Sequence, residues 1–213
     1  MVAGRDASSG SNLSAGQVGC ALSHLAAYEV MVARKMPWAL IVEDDAVLPP
    51  DIQDTLVRVE ATLRRGDVVL LYNRPQHRAA FSTVNADVIG DYRLCLPMSM
   101  AGLGAAAAYV ITRQAAEGIL KVNRPIVAAA DNWEYFYEHK AIARARVMSP
   151  NPVSLKPFES TIFTSGSRIG VLMKGSRLLQ PLLAARRRFL TARMMGNTVL
   201  VDEVSPYANM SPQ

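Results

Sequence analysis

Trp38–Ala39–Leu40–Ile41–Val42–Glu43–Asp44–Asp45–Ala46–Val47–Leu48 passes from a block of apolar β-formers straight into three adjacent carboxylates. With Pro37 before it and Pro49–Pro50 after it, the apolar run predicts a buried strand of a mostly parallel sheet. Periodicity alone leaves a short core helix open, and the prolines favour the strand. Ligands of open α/β sheets bind beyond the carboxyl ends of strands, so acids emerging there are placed for a site rather than for packing. Side chains alternate along a strand, which puts Glu43 and Asp45 on one side and Asp44 on the other. Like charges this close repel and are best tolerated in water or against a cation. A hard divalent ion such as Mg²⁺ or Mn²⁺, which prefers oxygen ligands, supplies the balancing charge. The plainer alternative is a solvated acidic turn.

Working outward, Ser14 and Gln17 make a capping-box pattern at the start of a helix. Val18, Leu22, Leu25, Ala26, Val30 and Met31 carry that helix at its own period to about Lys35. After the acids, Ile52, Leu56, Val59 and Leu63 predict a helix from Pro50 or Asp51 to Arg65, and Asp67 to Tyr72 predicts a second buried strand. Residues 73–92 lack a clear period and read as a loop or an edge hairpin. Ala105 to Thr112 reads as a third strand, Arg113 to about Val122 as a helix ended by Asn123–Arg124–Pro125, Ala130 to about Lys140 as another helix, and Ala143 to Met148 as a strand. Strands alternating with helices give an α/β architecture.

The chain has 213 residues, half of them apolar, enough for one proper core. Met1 to Ser14 lacks the apolar stretch of a signal peptide, so a cytoplasmic location is expected. Met98 to Thr112 is shorter than the roughly 18 residues a spanning helix needs. Cys20 and Cys95 have no metal-ligand spacing and read as buried reduced thiols. The net charge of +5 is uneven: residues 1–150 hold 15 basic and 15 acidic residues, whereas residues 151–213 hold 8 and 3. The basicity belongs to the C-terminal segment.

Gly16–Gln17–Val18–Gly19–Cys20–Ala21–Leu22–Ser23–His24 resembles the G-E-[IV]-G-C-x-x-S-H signature of glycosyltransferase family 25, with Gln17 in place of the usual Glu. Glu43–Asp44–Asp45 comes next in order. Gly104 to Thr112 is similar to the family's G-x-x-A-Y-x-[IV]-[ST] segment, and Ala130–Asp131 before an aromatic-rich helix fits its next aspartate. Pro152–Val153 and Glu159–Ser160–Thr161–Ile162 look like its later substrate-side segments. Each motif is weak by itself; their order and spacing over residues 13–165 carry the match.

The resemblance implies a GT-A-like nucleotide-sugar fold and transfer of a sugar, with inversion, from a nucleotide donor to an acceptor hydroxyl. A metal held by carboxylates would neutralise the diphosphate leaving group. By that analogy Asp45 is the first choice for the metal ligand, with Glu43 beside it. Glu43, Asp44 and His24 are candidates for contact with the donor or metal-bound water. Inversion needs a carboxylate to take the acceptor's proton. Asp131 is the leading candidate, with Glu134 one helical turn on as the alternative; Asp131 also suits the N-cap of the following helix. His24, beside Ser23 on a helix face, more often plays a hydrogen-bonded structural part. Tyr109 reads as core, and Trp133, Tyr135 and Tyr137 as core aromatics that alternatively stack on sugars.

Family members open with a strand–helix–strand unit that helps form the nucleotide pocket, and Met1 to Asp6 resembles only the residues just after that unit. The N-terminal unit is therefore expected to be lacking. The expected organisation is a glycosyltransferase domain over residues 1–165 and a basic amphipathic tail over 166–213. Between Arg168 and Arg193 seven basic residues and no acid alternate with apolar ones. Such a segment suits an anionic bilayer, placing the protein peripherally on the inner membrane; a helix packed on the core is the plainer alternative. Nucleic acid is not an expected partner, because the basic residues have few aromatic partners. The functional expectation is a hexosyltransferase, galactose among the candidate sugars, acting on a lipopolysaccharide or lipooligosaccharide core from a UDP-hexose donor. The rivals are an inactive relative serving as a membrane-associated interaction protein and, less fittingly, a nucleotidyltransferase, which lacks its Gly-rich phosphate loop.

Overall fold

A computed structural model describes residues 13–74, 78–156 and 198–208. Along the chain these form α1 (Ala15–Ala33), β1 (Trp38–Val42), β2 (Ala46–Val47), α2 (Ile52–Glu60), β3 (Asp67–Leu70), β4 (Ala79–Ile89), β5 (Tyr92–Pro97), β6 (Ala108–Thr112), α3 (Arg113–Val122), α4 (Trp133–Glu138), β7 (Arg144–Ser149), β8 (Ser154–Leu155) and β9 (Thr198–Val201). A single 3-10 turn, Met100–Gly102, precedes β6.

The main sheet has the order β1-β6-β3-β7-β5-β4-β9, and β2 pairs with β8 in a small second sheet. The expectation of a mostly parallel sheet is corrected here. Among the described residues only β3–β7 and β4–β9 are parallel ladders of this sheet; β1–β6, β3–β6, β5–β7 and β4–β5 are antiparallel. Apolar runs report that both faces of a strand are covered and carry no information about its direction. β1 and β3 nevertheless point the same way, since both run antiparallel to β6, and β7 runs parallel to β3. The carboxyl ends of β1, β3 and β7 therefore lie along one rim of the sheet.

Helices cover both faces, as alternation requires. Val68, Leu70, Tyr109 and Ile111 face a core shared with Leu25, Tyr28 and Met31 of α1, Ala115, Ala116 and Ile119 of α3, and Trp133 and Phe136 of α4. Val69, Leu71, Ala108 and Val110 face the opposite core, where Val59 is buried and Ile52, Leu56 and Leu63 pack against it. α1 begins as its capping box dictates: the Gln17 amide donates to Ser14 Oγ, and the Ser14 amide donates to Gln17 Oε1.

Among the described residues β1 is the outermost strand of the sheet and is half-buried, with Val42 exposed, rather than the buried strand expected. Residues 73–92 contain the first residue of β5 and the whole of the long strand β4. Its hairpin with β5 is interior to the sheet, because β9 pairs with its other side. The register shift between Ser82 and Asp87 breaks the alternation that would have marked β4 as a strand. The expected boundary at residue 165 and the basic segment 168–193 fall outside the described residues. Beyond them, Ser205 Oγ donates to the Pro97 carbonyl at 2.7 Å, and Tyr207 meets Tyr137 edge-on.

Candidate active site

The acids sit at the rim. The Glu43 amide donates to the Ala107 carbonyl at 2.8 Å, extending the β1–β6 pairing by one residue, and the Ala46 amide donates back to the Glu43 carbonyl, closing a tight turn. The turn is held from outside by the Lys156 amide, which donates to the Asp45 carbonyl at 2.7 Å. Glu43 and Asp45 are half-buried and Asp44 is exposed.

Asp45 Oδ1 is buried and has no hydrogen-bond partner among the described residues. Burial, Glu43 and Asp44 together push the Asp45 carboxyl above its usual range. A buried acceptor without a donor, crowded by two further carboxylates, is the environment a hard cation relieves. The turn thus offers an oxygen donor, Asp45 Oδ1, without a hydrogen-bond partner among the described residues, and its chemistry fits a hard divalent cation such as Mn²⁺ or Mg²⁺.

Glu43 is engaged differently. Its Oε1 lies 3.5 Å from His24 Nε2 and 3.6 Å from Cys20 Sγ. The contact with the His24 imidazole holds its carboxyl below the usual carboxylate range, against the opposing effect of burial. His24 and Cys20 are four residues apart on α1 and so share one face. His24 is buried, and its Nδ1 lies 2.7 Å from the Tyr109 hydroxyl, which is itself hydrogen-bonded to the Tyr28 hydroxyl. Burial pushes the Cys20 thiol up to about 12, with Glu43 and Asp131 adding to the shift.

Asp131 is exposed and acts electrostatically on Cys20, which brings it toward the Glu43 side of the rim. The N-cap of α4 is Asn132, whose Oδ1 accepts from the Tyr135 amide at 3.1 Å, so Asp131 does not serve as that cap. Glu134 is exposed in the first turn of α4. The helix is anchored by Trp133, buried edge-on against Tyr109 at 5.0 Å, with its Nε1 donating to the Ala105 carbonyl at 3.3 Å. Ala105 presents that carbonyl from a left-handed backbone, φ 72°, which disfavours a side chain with Cβ. Trp133 thus packs in the core; Tyr135 stacks on His139 at 3.9 Å and is half-buried.

Arg74 was not singled out by sequence reasoning. It leaves the end of β3 with its amide donating to the Gly104 carbonyl, and its charge acts on Glu43, Asp45 and Tyr72. The only sequence signal for it is a cation shortly after a buried strand. Asn73 ties the neighbouring loops together: its Oδ1 accepts from the Gly104 amide at 2.8 Å, and its carbonyl accepts from Asn151 Nδ2 at 2.9 Å. A separate hollow of about 260 Å³ lined by Pro37, Trp38, Glu60 and Arg64 opens at the start of β1, away from the acids.

None of the curated proteins matches this chain. The model of glycosyltransferase family 25 (LPS biosynthesis protein) matches residues 3–133, well over half of the chain. The match takes in Cys20, His24, the three acids, Tyr109 and Asp131 and stops just before Glu134. The family's members are glycosyltransferases, working with a nucleotide-sugar donor and a glycan acceptor. With its carboxylates gathered on the rim formed by β1, β3 and β7, the chain belongs to glycosyltransferase family 25, the glycosyltransferases of lipopolysaccharide biosynthesis.

Proposed function

We propose that the protein is an inverting hexosyltransferase that moves a sugar, galactose among the candidates, from a UDP-hexose to a lipopolysaccharide or lipooligosaccharide core, on a GT-A-like fold. The observation that carries this reading is the orphaned, buried Asp45 Oδ1 at the carboxyl end of β1. Asp45, with Glu43 beside it, holds a Mn²⁺ or Mg²⁺ ion that offsets charge on the diphosphate leaving group. Asp44, exposed on the same turn, is free to meet the donor, and His24 holds Glu43 in place. Arg74 adds a fixed positive charge to the rim, where charge develops on the departing phosphate. Asp131 takes the proton of the acceptor hydroxyl, and Glu134 is the alternative base. No described helix is long and apolar enough to cross a membrane. Residues 168–193 bring the enzyme to an anionic inner-membrane surface, where a lipid-linked acceptor is found, and nucleic acid has no part in this reading.

The test is calorimetric titration of UDP-galactose and UDP-glucose into the full chain with Mn²⁺ and again with EDTA. Binding that requires Mn²⁺ and disappears in Asp45→Ala, with the folded state retained, is the expected result. Mn²⁺-dependent binding that survives Asp45→Ala removes Asp45 from the ligand set. A folded chain that binds no nucleotide sugar favours the rival reading of an inactive, membrane-associated relative.

A further inference from the structure

The geometry points to a second metal site of different chemistry: Cys20, His24 and Glu43 form a binding site for a borderline-soft divalent cation of the zinc class. The three ligand atoms, Sγ, Nε2 and a carboxylate oxygen, all lie within 4.8 Å of one another. The 3.5 Å from Nε2 to Glu43 Oε1 exceeds the roughly 2.7–3.2 Å of a good N–H···O bond, while the 3.6 Å from Sγ is a weak S–H···O hydrogen bond. Both separations also match the edges of a coordination polyhedron. A tetrahedral ion with bonds of about 2.3 Å to sulfur and about 2.0–2.1 Å to nitrogen and oxygen has ligand-to-ligand edges of about 3.3–3.6 Å. The third edge, Sγ to Nε2, lies within the same 4.8 Å and closes by up to about 1.2 Å to reach a tetrahedral edge, by movement of Cys20, which is half-buried.

The surroundings prepare the imidazole for this role. His24 Nδ1 lies 2.7 Å from the Tyr109 oxygen; in the tautomer that donates from Nδ1 to that oxygen, Nε2 gives its lone pair to a metal in place of its contact with Glu43, and metal binding selects that tautomer. Tyr109 is in turn fixed by Tyr28 and by its packing against Trp133. Support of this kind from outside the ligand set fixes the tautomer and orientation of metal-binding histidines. A thiolate with an imidazole selects Zn²⁺ or Co²⁺ over Mg²⁺ and Mn²⁺. On binding, the Cys20 S–H proton passes to solvent, bonds form from Sγ, Nε2 and a Glu43 oxygen to the metal, and the aqua ion releases all of its waters but one. The thiolate and the Glu43 carboxylate then balance the two positive charges, and the fourth position stays open to water. The site uses neither Asp44 nor Asp45 but shares Glu43 with the hard-cation site, so Asp45→Ala, which removes a ligand of the hard cation only, tells the two apart.

The experiment is titration of Co²⁺ into the reduced, metal-free full chain, followed by absorption spectroscopy and displacement by Zn²⁺, with far-ultraviolet circular dichroism to verify folding. The expected result is a thiolate-to-cobalt charge-transfer band with intense tetrahedral visible bands, both lost on adding Zn²⁺. Cys20→Ser abolishes the charge-transfer band, whereas Cys95→Ala, at a buried position elsewhere in the core, and Asp45→Ala leave it intact. Tyr109→Phe keeps the three ligands and lowers Zn²⁺ affinity by about 10- to 100-fold. If Cys20→Ser does not fold, Glu43→Gln at its half-exposed position takes its place and is expected to weaken Co²⁺ binding at least tenfold. A folded wild-type chain with no charge-transfer band overturns the proposal. So does a band that survives Cys20→Ser, or Co²⁺ affinity unchanged in Glu43→Gln.

Discussion

Asp67→Ala is expected to be among the most destabilising single substitutions in this chain. Asp67 is 1 % exposed at the start of β3, the end of the sheet away from the acids, so its removal tests the scaffold alone. Arg144 Nε donates to its Oδ1 at 2.8 Å, while its Oδ2 accepts from Arg144 Nη2 at 2.5 Å, Arg146 Nη2 at 3.1 Å and the Arg64 amide at 2.9 Å. Without that carboxylate, Arg146, 2 % exposed, lies beside Arg144 with Asp87 as its remaining acidic partner, at 2.7 Å. Burial and then Arg144 already pull the Arg146 guanidinium down to about 10, which still leaves it charged at neutral pH.

Breaking a buried pair on one side costs about 3–5 kcal/mol, because the other charge is left uncompensated. In a chain of this size each kcal/mol lowers the melting midpoint by roughly 2–4 °C, so the expected shift is roughly 6–20 °C. Thermal and urea unfolding followed by circular dichroism read it directly. Glu29→Ala is the control: the Glu29–Arg124 pair has side chains about half exposed, and its loss should cost less than about 1 kcal/mol. A loss below about 1 kcal/mol for Asp67→Ala would refute the view that this carboxylate holds two buried guanidinium groups in place.

Gly118→Ala, ordinarily stabilising in a helix, should destabilise by about 1–3 kcal/mol, because its Cβ would stand 2.0 Å from the Ala141 carbonyl oxygen; an unchanged or raised melting point would show that α3 does not approach Ala141 so closely. Glu43 has a depressed pKa in the folded state, so the stability it contributes is present above the ordinary carboxylate range and is lost as pH falls through the folded value. The advantage of wild type over Glu43→Gln should accordingly shrink on acidification below about pH 4.3, and an advantage that grows there would reverse the sign of the argument. Asp131→Asn should lower transfer by at least about 100-fold while leaving donor affinity within about twofold; comparable loss in Glu134→Gln alone, with Asp131→Asn active, would pass the base role to Glu134.

The elements legible in the sequence are those written in neighbouring residues. The Ser14–Gln17 capping box starts α1, the period of Ile52, Leu56, Val59 and Leu63 marks the buried face of α2, and Arg113 to Val122 matches α3 at both ends. The placement of Glu43 immediately after β1 was legible for the same reason, since an apolar run bounded by prolines and acids is a local pattern. The direction of the strands was not, because hydrophobic burial is the same for a strand run either way. Residues 73–92 concealed β4 because a register shift interrupts its alternation, and β9, far along the chain, completes its pairing. Asn132 rather than Asp131 caps α4, a choice between adjacent residues that the path of the backbone decides.

The sequence by itself therefore determined the elements with an unbroken local pattern, the α/β class and the chemical character of the rim, because capping, periodicity and charge act over a few residues. The meeting of Cys20 and His24 with Glu43, the reach of Arg74 toward Asp45, and the burial of Arg144 and Arg146 around Asp67 belong to the folded chain alone. Those contacts join residues far apart in sequence, and they exist only once strand pairing and the packing of helices on both faces have fixed which ends of which strands share a rim.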